Sequence, residues 1–333
     1  MVPLSVLDLV PVVSGSSARE AMRRTEELAR LAERLGYVRY WFAEHHGMAS
    51  IASSSPELLI EHIAAATERI RVGSGGIMLP NHAPLRVAEA FHTLETLHPH
   101  RIDLGIGRAP GTDAAHIRAL RSFDGEQFPQ QLAELLALSR GDFPEGHPFR
   151  AVRVVPSEVE LPPVWLLGSS GASAQMAGDL GMGYAFASHF SPASPVGPMR
   201  AYLAAFTPSA AFAQPSAILA VSVVCAESRD VAEHHAASLT LAGLRLQRGE
   251  FKPLPSPEEA LAYRYSEEER FAAEAYRSRH IVGTPEEVRA RIERMVDETG
   301  ATEVMITTMV HDHAARLRSY ELVAGAISAE GSR

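Results

Sequence analysis

The chain has 333 residues, 46% of them hydrophobic and 21% charged, and a formal charge of −9, so it can bury a full core and offers no basic footprint for nucleic acid. Its single cysteine, Cys225, excludes an internal disulfide and any cysteine-pair metal site, and suits a cytoplasmic chain. No run approaches the roughly 18 to 20 apolar residues that a membrane helix needs, so the expected partner is a small molecule rather than a membrane.

In chain order, Val2 to Val13 is short and apolar, holds Asp8 and lacks a basic leader; it reads as a strand over Leu4 to Val10 rather than a signal peptide. Ser17 and Glu20 have capping-box spacing, and Leu28, Leu31, Ala32 and Leu35 form a helical stripe that stops at Gly36. Tyr37 to Ala43 is a second strand, followed by Glu44-His45-His46, and Ser55-Pro56-Glu57 opens a helix that turns Leu59, Ile60, Ile63 and Ala64 inward. Ile70 to Leu79 reads as a buried third strand with Ser74-Gly75-Gly76 inside it. Pro84 then starts a helix bearing Val87, Ala90, Phe91 and Leu94, and Arg101 to Arg108 is the fourth strand. Residues 109 to 161 form an insertion, with a helix near Gln127 to Ser139 and an extended, hairpin-like piece around Phe149 to Val155. Pro163 to Leu167, Gly183 to Ala187 and Ala217 to Cys225 are strands five to seven, with a helix over Gly171 to Leu180. A second insertion, Ser228 to His280, is helical and charged, with a Pro-rich break at Lys252 to Pro257. Thr284-Pro285-Glu286-Glu287 caps a helix to about Thr299, Glu303 to Met309 is strand eight, and Ala314 to Ala326 closes the chain.

Eight strands alternating with helices predict one α/β domain over residues 1 to 333, a closed parallel (β/α)₈ barrel with insertions after strands four and seven. An open doubly wound sheet fits the strand character equally, and the number of units favours closure. In a barrel the carboxyl ends of all strands meet on one face, and four features fall there.

Glu44-His45-His46 offers imidazoles that exchange protons near neutral pH beside an orienting carboxylate, or a loop in which Glu44 caps amides and the rings pack. Gly168-Ser169-Ser170-Gly171-Ala172-Ser173 is a strand-to-helix turn fit for a phosphate or for an ordinary serine cap. Arg108, ending the preceding strand, adds the countercharge. Ser74-Gly75-Gly76 lays bare a backbone against which a flat ring could lie, or marks a bulge. His311-Asp312-His313 has metal-ligand spacing, yet also suits the polar start of the last helix.

Taken together, the motifs resemble those of the bacterial luciferase-like, flavin-dependent monooxygenases. The residues that carry the resemblance are Tyr40 to His46, Arg71 to Pro80, Gly105-Ile106-Gly107-Arg108, Gly168-Ser169-Ser170 and Ile281 to Val288, in one order over nearly the whole chain. It implies FMN at the barrel mouth, with a cis peptide at Gly75-Gly76 against the flavin ring. Arg108, Ser169, Ser170 and Ser173 would hold the phosphate, and His45, tuned by Glu44, would move protons. Ser74, Gly75, Gly76 and Gly168 complete the expected cofactor set, and no metal is expected. Reduced FMN would react with dioxygen in a pocket closed by residues 228 to 280, its electrons coming from NAD(P)H directly or through a separate flavin reductase. A homodimer is the expected assembly. Gly107 stands where luciferase has a cysteine, which argues against light emission. The alternatives are a deazaflavin- or NAD(P)H-linked reductase on the same barrel and, behind it, a metal-dependent hydrolase.

Overall fold

The computed structural model describes residues 2–109, 111–120, 124–169 and 171–328. Strands β1 (Leu4–Asp8), β2 (Arg39–Phe42) and β3 (Arg71–Ser74) alternate with helices α1 (Ala18–Arg34) and α2 (Pro56–Ala66). The two-residue β4 (Ile77–Met78) continues β3 beyond a break, and α3 (Pro84–Leu97) leads to β5 (Ile102–Gly107). After α4 (Ala114–Leu120) and α5 (Phe128–Arg140) come β6 (Val164–Gly168), α6 (Ala172–Asp179), β7 (Gly183–Ala187), α7 (Val196–Ala205) and β8 (Ala217–Cys225). Helices α8 (Arg229–Gln247), α9 (Pro257–Ala262) and α10 (Glu267–Arg277) precede β9 (Ile281–Gly283), α11 (Pro285–Thr299), β10 (Glu303–Thr307) and α12 (His313–Ser328).

All pairings between these strands are parallel, in the order β10-β1-β2-β3-β5-β6-β7-β8, and β10 pairs back onto β8 to close an eight-strand barrel. The expected (β/α)₈ barrel is therefore the observed one. Strand β8 is nine residues long because its first part pairs with β7 and β10, while Val223 to Cys225 pair with the short β9. Inside the barrel Leu7, Trp41, Trp165, Ala185, Ile218 and Met305 pack together, with Trp41 edge-on to Trp165 at 5.4 Å between ring centres. The larger apolar cluster lies between the outward strand faces and the helices. A polar floor seals the amino-terminal end: Asp103, fully buried, accepts from Arg39 Nη1 at 2.9 Å, Trp41 Nε1 at 3.1 Å and Arg71 Nη2 at 2.6 Å. With the floor plugged, only the carboxyl-terminal mouth is left for a ligand.

Local chemistry explains where the sequence-based boundaries shift. At α1 Ser17 Oγ accepts from the Glu20 amide at 3.2 Å, but the Glu20 carboxylate turns to Arg23 and Arg24, so only half of the expected capping box forms. At α11 both halves of the Thr284–Glu287 box are present. The hairpin expected around Phe149 to Val155 is absent. Those residues run through turns held by stacked Phe143 and His147 and by the buried Val154, so their apolar residues serve packing instead of a ladder. Helix α7, which the pattern did not reveal, starts with Gly197 and Pro198 in its first turn and buries Met199 and Tyr202. In the second insertion Leu254, at the Pro-rich break, is fully buried and exchanges backbone hydrogen bonds with Val12 and Ser14, at 2.9 and 2.8 Å. The segment is thus pinned to the loop that follows β1.

Candidate active site

The third barrel strand breaks at the mouth. Its ladder with β5 stops at Gly73–Asp103 and resumes at Ile77–Ile106, so three residues, Ser74 to Gly76, face two, Leu104 and Gly105. The Gly75–Gly76 peptide is cis. A methyl on Gly76 would lie 2.6 Å from the Gly105 carbonyl oxygen, and one on Gly105 only 2.0 Å from that of Ser74, so this crossing takes glycine alone. Ser74 Oγ fills the missing rung: it donates to the Gly105 carbonyl at 2.8 Å and accepts from the Gly105 amide at 3.0 Å. Of the expected cofactor residues, Ser74 is therefore committed to the backbone and fully buried, while Gly75 and Gly76 form the kink itself.

Beside the kink, β2 delivers Glu44, His45 and His46. Glu44 is fully buried and its carboxylate is filled by protein donors. Oε1 meets His46 Nε2 at 3.0 Å and His82 Nε2 at 2.9 Å, and Oε2 accepts from the Met78 amide at 2.8 Å. Burial works against the charge, but the His46, His82 and Met78 contacts outweigh it and hold the carboxyl at about 2. It makes no hydrogen bond to His45. The His45 Nδ1 atom is buried without a partner among the described residues, and burial, outweighing the nearby Glu44 charge, pushes the ring down to about 4, so the imidazole is neutral at pH 7. His82, which sequence reasoning missed, follows the third strand as His45 follows the second, and that position at a strand's carboxyl end was its available signal.

Two strands further round, Ile106 pairs with Leu166, so Arg108 and Gly168 leave the sheet side by side. Arg108 is exposed and makes no ion pair or hydrogen bond with a described residue. Ser173 Oγ occupies the space that a Gly168 side chain would fill, 2.0 Å from that Cβ position, and hydrogen-bonds the Tyr184 hydroxyl. Helix α6 starts with Gly171 as its cap, and no side-chain capping bond from the described residues meets its first amides, a start suited to an anion. The Ser169 carbonyl accepts from Ser191 Oγ at 3.1 Å; Ser170 lies outside the described residues. The residues present fit a flavin phosphate and ring: among the described residues an unpaired cation, uncapped helix amides, a flat glycine kink and an orphaned imidazole nitrogen share one mouth.

The His311-x-His313 pair diverges. His311 Nε2 meets Ser14 Oγ at 3.1 Å and His313 Nε2 meets Glu27 Oε2 at 2.9 Å. Among the described residues no group of three or more His, Cys, Asp or Glu side chains is placed to hold a metal ion. No helix of the described residues is long and apolar enough to cross a membrane.

The fold is a closed (β/α)₈ barrel whose candidate site lies at the carboxyl-terminal mouth, and its relatives are oxidoreductases of the monooxygenase type. The chain belongs to the luciferase-like monooxygenase family, whose sequence profile matches residues 3–303. It is 44% identical over 324 residues to the "Luciferase-like monooxygenase" of Escherichia coli strain K12, covering 96% of each chain. To the "N-acetyl-S-alkylcysteine monooxygenase" of Bacillus subtilis strain 168 it is 35% identical over 336 residues, covering 99% of each. The crystal structure of apo-MsnO8 superposes with a TM-score of 0.90 at 41% identity, covering 98% of each chain.

Proposed function

We propose that the chain is a monooxygenase that takes reduced FMN and dioxygen and transfers one oxygen atom to a small organic substrate. The observation that carries this reading is the pairing, across one glycine kink, of a phosphate anchor at Arg108 and α6 with the neutral, unpartnered His45. Family membership, and a relative named for an N-acetyl-S-alkylcysteine, support the reaction class.

FMN would be held by Arg108, by Ser169 and Ser173 with the α6 amides, and by the flat face of Gly75–Gly76. Bound and reduced, it supplies the electrons that activate dioxygen. His45 enters as a neutral imidazole and accepts a proton at a ring nitrogen; the same nitrogen returns it later. Glu44 acts as a positioning residue, tying His46, His82 and the Met78 amide so that the β2 end and the kink keep one geometry. Residues 228 to 280, pinned through Leu254 to the loop after β1, would exclude water from the pocket. Reducing equivalents come from NAD(P)H, directly or through a flavin reductase. Two copies would pair through the groove of about 810 Å³ between α2 and α3, where Leu58 and Leu97 stand exposed.

The test is an anaerobic titration of the full chain with oxidised and then reduced FMN, followed by mixing with ¹⁸O₂ and candidate substrates. Saturable binding of reduced FMN, with one labelled oxygen in the product, is the expected result. Failure to bind either FMN form would end this reading. Hydride transfer to a deazaflavin with no oxygen uptake would replace it with the reductase.

A further inference from the structure

The cofactor residues occupy one side of the mouth, the ends of β2 to β6, and the other side carries a second set of unused polar groups. Along β8 and β10 alternate side chains face the lumen; Ile218, Ala220 and Met305 form its lower layer. Two residues further on, Ser222 and Thr307 face it next, and they are partners in the β8–β10 register. The pairing of β7 with β8 ends at Ala187–Ala220, and that of β9 begins at Ile281–Val223, so Ser222 sits in the gap between them. His189 comes into that gap from the end of β7, its amide bonded to the Ala220 carbonyl at 3.0 Å, and His280 comes in just before β9. Thr307, Ser222, His189 and His280 therefore lie at one level in an arc.

Each of the four has buried polar atoms without a partner among the described residues: Ser222 Oγ, Thr307 Oγ1, His189 Nδ1 and both ring nitrogens of His280. Ser222, Thr307 and His280 are 2%, 4% and 7% exposed. Native chains rarely leave so many buried polar atoms unmet at one place unless something else meets them. Burial pushes the His189 ring down to about 4 and the His280 ring to about 3, so at pH 7 each is neutral and offers one N–H. Of the groups that act on the two rings, His45 and His189 are themselves neutral at pH 7, while Arg277, which also pairs with Glu233 at 2.7 Å, and Arg279 bring positive charge to His280. Hydroxyl and imidazole donors, with the guanidiniums of Arg277 and Arg279 acting on His280, suit an acceptor that brings its own negative charge.

We infer that this arc is the substrate anchor of the pocket and that the group it takes is a carboxylate. That it anchors the substrate rests on the monooxygenase reading above; that it takes a carboxylate rests on the arc alone.

The experiment uses the full chain loaded with oxidised FMN and three probes of one chain length: hexanoate, hexanamide and hexan-1-ol. Hexanoate is expected to perturb the visible flavin spectrum saturably, with the other two at least 10-fold weaker. Thr307→Val and His280→Phe should each raise the hexanoate midpoint at least 10-fold while FMN affinity stays within 2-fold. Equal binding of all three probes, or unchanged midpoints in both variants, would mean that the arc holds only water and would overturn the inference. Release of FMN by hexanoate would assign the arc to the flavin and overturn it as well. If FMN itself does not bind, calorimetric titration of the flavin-free chain separates the two readings. Hexanoate binding that is lost in Thr307→Val would then sustain the arc while the flavin reading fails, and no binding would end both.

Discussion

A carboxylate taken out of water keeps its charge only where protein donors replace the solvent, and Glu44 meets that condition with two imidazoles and an amide. The neighbouring His45 has the opposite fate, because no described residue bonds its Nδ1 and burial keeps it neutral. Arg108 differs again, exposed and without a partner among the described residues. A guanidinium that binds a phosphate through charge-assisted hydrogen bonds contributes about 1.5 to 3 kcal/mol, so Arg108→Ala should weaken FMN binding about 10- to 150-fold. The fold should be untouched, since the side chain packs nothing away. Flavin fluorescence quenching measures the loss, and an affinity within a factor of two of the wild type would remove Arg108 from the phosphate site. The sequence showed that an acid and two imidazoles stand together after the second strand. It did not show which ring the acid takes, because that depends on Met78 and His82, more than thirty residues away and brought up by the next strand.

At the scale of the element, the third strand shows how one side chain repairs a backbone defect. The extra residue at Ser74 to Gly76 interrupts the ladder, and the Ser74 hydroxyl serves both polar groups of Gly105. Ser74→Ala would leave a buried amide and carbonyl without that partner and should lower stability by about 1 to 3 kcal/mol, read from urea midpoints at unchanged slope. Gly76→Ala should be worse, since its Cβ would stand 2.6 Å from the Gly105 carbonyl oxygen, and backbone cannot move aside as the end of a flexible side chain could. A neutral Ser74→Ala would mean that water replaces the hydroxyl there. Gly-rich spacing announced this break from the sequence; the same reading expected Ser74 at the cofactor, and the two hydrogen bonds of its hydroxyl to Gly105 were not legible because they join residues thirty-one apart. The missed α7 and the absent hairpin have a related cause. Gly197 and Pro198 weaken the helical pattern, and the apolar residues of Phe149 to Val155 alternate like a strand while they serve as packing under a turn. Strand count and order, by contrast, were legible, because buried parallel strands are written as continuous apolar runs.

At the scale of the whole molecule, the mouth is stabilised at neutral pH by groups that resist protonation, and this sets how the chain responds to acid. His45 and His189 stand at about 4 and His280 at about 3, against about 6.5 for an unfolded histidine. Because the folded values lie below the unfolded one, the unfolded chain binds more protons between these limits, and stability falls as pH falls through that window. Each ring contributes a slope of about 1.4 kcal/mol per pH unit, so three rings together give about 4 kcal/mol lost between pH 6 and pH 5. Glu44, held at about 2 against an ordinary 4.5, has the same sign, and its contribution disappears only below about pH 4.5. With a domain stability of about 5 to 15 kcal/mol, unfolding should therefore begin near pH 5, before the carboxylates titrate. Urea midpoints at pH 7, 6 and 5 measure the fall, and His280→Phe should remove about a third of its slope by deleting one of the three rings. A midpoint that stays flat from pH 7 to pH 5 would mean that the imidazoles reach water in the ligand-free chain. The pocket would then lack the dryness on which both the oxygen chemistry and the carboxylate anchor depend.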